Sequence, residues 1–129
     1  MNAYAADLWL RAREALAVAS QTVALSPDAA ASRAYYAAFY AVSALLALEE
    51  KEFTKHSAVE SAVHRDLVKA GRWAPELGRD YSALLALREK GDYGGGEHAT
   101  REEAEAAVAI AKRILDAALE QKPELEPGS

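Results

Sequence analysis

The chain has 129 residues, a net charge of −5 and no cysteine, and 51% of it is hydrophobic, chiefly Ala, Leu and Val. That length fits one domain with a real core. Disulfides and thiolate metal sites are excluded, indiscriminate nucleic-acid binding is disfavoured by the acidic balance, and no apolar run is long enough to span a membrane. Residues 1–7 lack the basic flank and apolar core of a signal peptide, so the cytoplasm is the expected compartment. With only two Phe and two Trp, small side chains must do much of the packing.

Apolar residues at Leu8, Ala12, Ala15, Leu16, Ala19 and Val23 have helical spacing and predict a first helix over about 3–24. Ser26-Pro27-Asp28 combines a capping residue, a proline at the first helical position and an acid in the first turn. The second helix predicted there runs to about Leu48, with Tyr35, Phe39, Val42 and Leu46 as its core stripe. After a polar break, a third helix spans about Thr54 to Ala70. Ser57 and Glu60 offer a capping box for it, and Gly71 an end. A fourth follows Pro75, with Leu77, Tyr81, Leu84 and Leu85 on its apolar face and Gly91 near its end. Thr100 and Glu103 form a capping box for a fifth helix with the cleanest apolar pattern in the chain, ending before Pro123. Residues 123–129 read as a frayed tail, leaving one domain over 1–122. The expected fold is all-α, an up-and-down bundle of four to five helices.

Polar residues interrupt this pattern in three places. On the second helix Arg33, Tyr36, Tyr40 and Ser43 form a stripe beside the core stripe. An arginine with two tyrosines on one face can stack and hold an anion; the same pattern also fits tyrosine hydroxyls at a rim and an Arg33 salt bridge. On the fourth helix the apolar stripe continues to position 88, which is Arg88. A cation there needs a partner, and Asp92, one turn on and followed by Tyr93, supplies one. The pair either closes the helix end or aims an arginine at a phosphate. On the third helix His56, Glu60 and His64 share a face but lack the compact two-histidine motif of zinc helices, so neither a metal nor a cofactor is expected. Arg65, Lys69 and Arg72 make a basic stripe that is either solvated or guides an anionic partner. Gly94-Gly95-Gly96 follows no strand and lacks the Lys and Ser/Thr of a phosphate loop.

Ser32-Arg33-Ala34-Tyr35-Tyr36-Ala37-Ala38-Phe39, Ala44-Leu45-Leu46, Lys55-His56-Ser57, Arg88-Glu89-Lys90-Gly91-Asp92-Tyr93 and the helix start Thr100-Arg101-Glu102-Glu103-Ala104 together resemble the HEPN domain family, in particular its small stand-alone members. The resemblance covers about residues 7–119. It implies a bundle of four or five helices that forms a homodimer, acting beside a minimal nucleotidyltransferase as one half of a toxin–antitoxin pair. It also implies a ligand-binding set of Arg33, Tyr36, Tyr40, Lys55, His56, Arg88, Asp92 and Tyr93, directed at a nucleotide or RNA. Active members of the family are metal-independent endoribonucleases marked by an arginine and, four to six residues beyond it, a histidine. Counting from Arg88, the permitted positions hold Tyr93, Gly94 and Gly95, so Arg88 and the variant Asp92-Tyr93 carry over and the histidine does not. The expectation is therefore a binding module rather than an enzyme. Arg88 and Tyr93 are the catalytic candidates if cleavage occurs, and His56 or His98 would have to fold into the site as the acid–base group. A purely structural helical dimer is the third reading.

Overall fold

Ser26 opens the central helix of the bundle: its Oγ accepts from the backbone N–H of Ala29 at 3.2 Å, and Pro27 follows at the first helical position. In the computed structural model, which describes residues 2–93 and 95–126 (Tyr93 by its backbone alone), five helices follow in order. They are α1 (Ala3–Thr22), α2 (Pro27–Ala47), α3 (His56–Ala62), α4 (Pro75–Tyr93) and α5 (Arg101–Gln121). A π-helical segment, Val63–Val68, continues α3, and a short 3-10 turn, Pro123–Leu125, follows α5. No strand occurs among the described residues, so the chain is an all-α bundle.

The core is organised around α2, which packs against α1, α4 and α5. Its alanines Ala30, Ala31, Ala34, Ala37, Ala38, Ala41, Ala44 and Ala47 are all buried, and with no side chain beyond Cβ they let the neighbouring helices approach closely. The face of α2 that carries these alanines is therefore buried within the chain.

Capping sets the ends of α5 as the sequence predicts. Thr100 Oγ1 accepts from Glu103 N at 3.0 Å, and Glu103 Oε1 from Thr100 N at 2.9 Å. The box expected from Ser57 and Glu60 does not form. The third helix begins at His56 with Lys55 as a cap that contributes no side-chain bond, and Glu60 instead accepts from Ser82 at 2.7 Å. At its far end the chain widens into the π turn, marked by the Lys69 N–H reaching the His64 carbonyl at 2.9 Å. Gly71, with φ at +79°, then takes the left-handed conformation that stops the helix, the geometry glycine adopts without steric penalty.

The tail expected to fray from Pro123 does not do so over residues 123–126. Leu125 is fully buried, and Glu126 pairs with Arg13 of α1 at 2.7 Å. An apolar residue two positions past the proline joins the core, where its segment meets α1 and α5. Residues 127–129 lie outside the described residues.

Candidate functional site

Three helices deliver polar groups to one place. From α2, the Tyr35 and Phe39 rings are buried, while Arg33, Tyr36 and Tyr40 flank them half-buried. His56 arrives from the first turn of α3 and lies flat on Phe39, ring centroids 4.4 Å apart and planes inclined by 19°. Tyr35 stacks on the same imidazole at 5.5 Å and Tyr36 meets it edge-on at 5.6 Å. The Tyr35 hydroxyl lies 2.8 Å from His56 Nδ1.

Arg88 comes from α4. Its Nε is 3.2 Å from Asp92 Oδ2, so the pairing expected one turn apart is formed. Only 16% of its side chain is exposed. Its guanidinium sits 5.2 Å from the Tyr36 ring centre and 5.6 Å from that of Tyr35, within cation–π range. The Arg33 guanidinium stands 4.8 Å from the same Tyr36 ring. Arg33 makes no ion pair among the described residues, contrary to the salt bridge that a rim reading of the stripe requires.

Burial and charge tune the two titrating groups between these arginines. Burial pushes the Tyr35 hydroxyl up to about 12, so it stays protonated at any physiological pH. Burial, and then the Arg88 charge, holds His56 below the ordinary histidine value. The imidazole is therefore kept neutral beside a permanent cation.

Other predicted members lie elsewhere or at the edge. Lys55 is exposed next to His56. Tyr40 stacks on Tyr36 at 5.7 Å and also meets Arg11 of α1, which is held chiefly by Asp7. Ser43 is buried, so the stripe ends at Tyr40. The Tyr93 side chain lies outside the described residues. Of the two histidines that might enter the site, His56 does. His98 is held instead at the start of α2, with its Nδ1 2.6 Å from Asp28 Oδ2. Glu60 and His64 both engage Ser82, at 2.7 and 2.9 Å, apart from His56. No cluster of three or more His, Cys, Asp or Glu side chains suited to a metal occurs among the described residues. The basic stripe is largely neutralised: Arg65 and Lys51 share Asp66, and Arg72 is locked to Glu49.

Periodicity sets Tyr35 in an apolar stripe and gives no sign that its hydroxyl meets His56. The available signal was a tyrosine where phenylalanine would pack equally well, because a buried hydroxyl needs a partner.

An α-helical bundle carrying an arginine–tyrosine–histidine cluster between its second, third and fourth helices is the class of protein these features define. A family model described as the HEPN domain matches residues 5–122, and the chain belongs to that family. No helix in the described residues is long and apolar enough to cross a membrane. The chain is 41% identical to a UPF0332 protein of Thermotoga maritima over 88 residues, covering 68% of this chain and 67% of the relative. It is 34% identical to a UPF0332 protein of Gloeobacter violaceus over 94 residues, covering 72% of this chain and 75% of that one.

Proposed function

We propose that this HEPN protein binds a phosphate of RNA or of a nucleotide at the arginine–tyrosine–histidine cluster formed by α2, α3 and α4. In this reading it works as a homodimer with a minimal nucleotidyltransferase, as one component of a toxin–antitoxin pair. The observation that carries the reading is the charge balance around Tyr36. Two guanidinium groups stand within 4.8 and 5.2 Å of one ring, and Asp92 is the carboxylate at this cluster, paired to Arg88. Two cations gathered on one ring with a single paired carboxylate favour an incoming anion. Arginine is the residue suited to it, since its planar fork matches phosphate oxygens in pairs.

The test is fluorescence anisotropy with a labelled single-stranded RNA oligonucleotide in EDTA. Arg88→Ala and Arg33→Ala are each expected to weaken binding about tenfold or more, the loss of one charge-assisted contact of roughly 1.5–3 kcal/mol. Unchanged affinity in both variants overturns the reading. A large fall in melting temperature with no wild-type binding at all supports a purely structural cluster instead. A second reading, metal-independent RNA cleavage, is favoured by one observation: a histidine from another helix reaches the cluster although none follows Arg88 at the family spacing. Cleavage of the same oligonucleotide by the wild type but not by Arg88→Ala would establish it.

A further inference from the structure

Among the described residues the large hydrophobic side chains left exposed are Tyr4, Leu10, Val18 and Leu25, and all four belong to α1 or to the turn after it. The uncovered apolar surface of the bundle is thus concentrated on one helix. Leu10, Glu14 and Val18 follow one another a turn apart and form a single ridge along α1, with Leu10 65% and Val18 40% exposed. Beside the ridge, α1 and α5 enclose a groove of about 420 Å³. Its lining is largely apolar, with Trp9 and Leu16 on the α1 side and Val108, Leu115 and Leu119 on the α5 side.

The charges on these two surfaces are complementary. Glu14, midway along the ridge, is exposed and makes no ion pair among the described residues. Its neighbours Arg11 and Arg13 are already held by Asp7 and Glu126, at 2.8 and 2.7 Å. Lys112 lines the groove between Val108 and Leu115, and it too is exposed with no ion pair among the described residues. The ridge therefore reads apolar, acid, apolar, and the α5 wall reads apolar, cation, apolar. At 1.5 Å per residue the two rows span about 12 and about 10 Å, so they match position for position. The same register keeps Asp116, which lines the groove a turn beyond Lys112, away from Glu14.

Ridge and groove sit side by side on one helix, which suits a two-fold axis: the patch one copy presents is the patch it receives. α1 and α5 run in opposite directions, because Ser20 and Gln21 near the end of α1 share a pocket with Arg101 and Glu105 at the start of α5. When the first helices of two copies lie antiparallel, the ridge of one runs parallel to the fifth helix of the other, in the order that sets acid against cation. Resting on the homodimer of the reading above, and not on its phosphate site, we propose that a second copy of this chain occupies the α1–α5 groove. Leu10 and Val18 are its anchors, and Glu14 pairs with Lys112 of the partner subunit, twice across the axis.

The test is sedimentation velocity on the full-length protein across micromolar concentrations, with light scattering to fix the mass. The wild type is expected to be at least dimeric. Glu14→Lys and Lys112→Glu are each expected to raise the dissociation constant about tenfold or more, because each sets like charges opposite one another at both ends of the interface. The double variant, with the two charges exchanged, is expected to return close to the wild-type value. Both side chains are exposed, so melting temperatures should stay near that of the wild type and separate assembly from folding. Assembly that neither reversal disturbs overturns this interface, as does a double variant no stronger than the single ones; in both cases the homodimer survives on another face. A monomeric wild type overturns interface and homodimer together and leaves the groove to a different protein. The phosphate site is read separately, by RNA anisotropy of the same variants, which is expected to match the wild type.

Discussion

The Tyr35 hydroxyl lies 2.8 Å from Nδ1 of His56, joining α2 to the first turn of α3 across a separation of 21 residues. The bond is inside the bundle's wall, with Tyr35 fully buried. Tyr35→Phe keeps the ring and its contacts with Tyr36, Phe39 and Tyr81 but deletes the oxygen. It leaves the His56 nitrogen without its partner, so it is expected to destabilise the fold by about 1–3 kcal/mol. Urea denaturation of the two proteins measures the difference. A variant as stable as the wild type would mean that the bond contributes nothing to the bundle.

Acid should weaken the fold in two stages. His56 is held below its ordinary value of 6.5, by burial first and then by Arg88. The unfolded chain therefore binds a proton at a pH where the folded chain does not, and stability falls as pH drops below about 6.5 toward the lowered folded value. Asp28 is held below its ordinary 3.8, chiefly by the Ala99 backbone N–H, so its contribution is lost only further down, as pH falls through its lowered value. Urea midpoints between pH 7.5 and 5.5 should decline for the wild type and decline less for His56→Gln. Parallel curves would show that His56 is not the titrating group.

Gly91 is glycine because α4 presses against the start of α2. A Cβ there would stand 2.8 Å from Asp28 Oδ1, and that carboxylate also accepts from the Ala99 N–H at 2.6 Å and holds His98. On an open helix Gly→Ala stabilises by about 1 kcal/mol. Here Gly91→Ala is expected to destabilise by about 1 kcal/mol or more, because Asp28 must swing off its partners. In an Asp28→Ala background the same substitution should become stabilising. A stabilising Gly91→Ala in the wild-type background would contradict the contact.

The chain end is structural as far as Glu126. Leu125 is fully buried, and Leu125→Ala is expected to destabilise by about 2–4 kcal/mol through lost burial and the cavity left behind. Thermal denaturation checks it. A loss below ~0.5 kcal/mol, the usual effect of a surface substitution, would return this segment to the frayed tail that the sequence suggests.

The amino-acid sequence determines the helices here because its signals are local. Ser26-Pro27-Asp28 and the Thr100–Glu103 box act within one turn, and the apolar period of α5 is a property of one segment. The Arg88–Asp92 pair is legible for the same reason, being one turn apart on one helix, and Gly71 stops its helix through its own backbone. The tail is not legible in the same way, because Pro123 gives a local stop signal, whereas Leu125 is buried against residues far away in the chain. Tertiary structure alone decided which histidine enters the cluster. His56 and His98 are equally plausible from spacing, but the packing of α3 against α2 brings one to Tyr35 and leaves the other on Asp28. It also decided that Tyr35 and Tyr81, indistinguishable in sequence from core aromatics, meet behind the imidazole. Helical periodicity fixes which residues share a face of one helix, and carries no information about how far that helix is turned toward its neighbours.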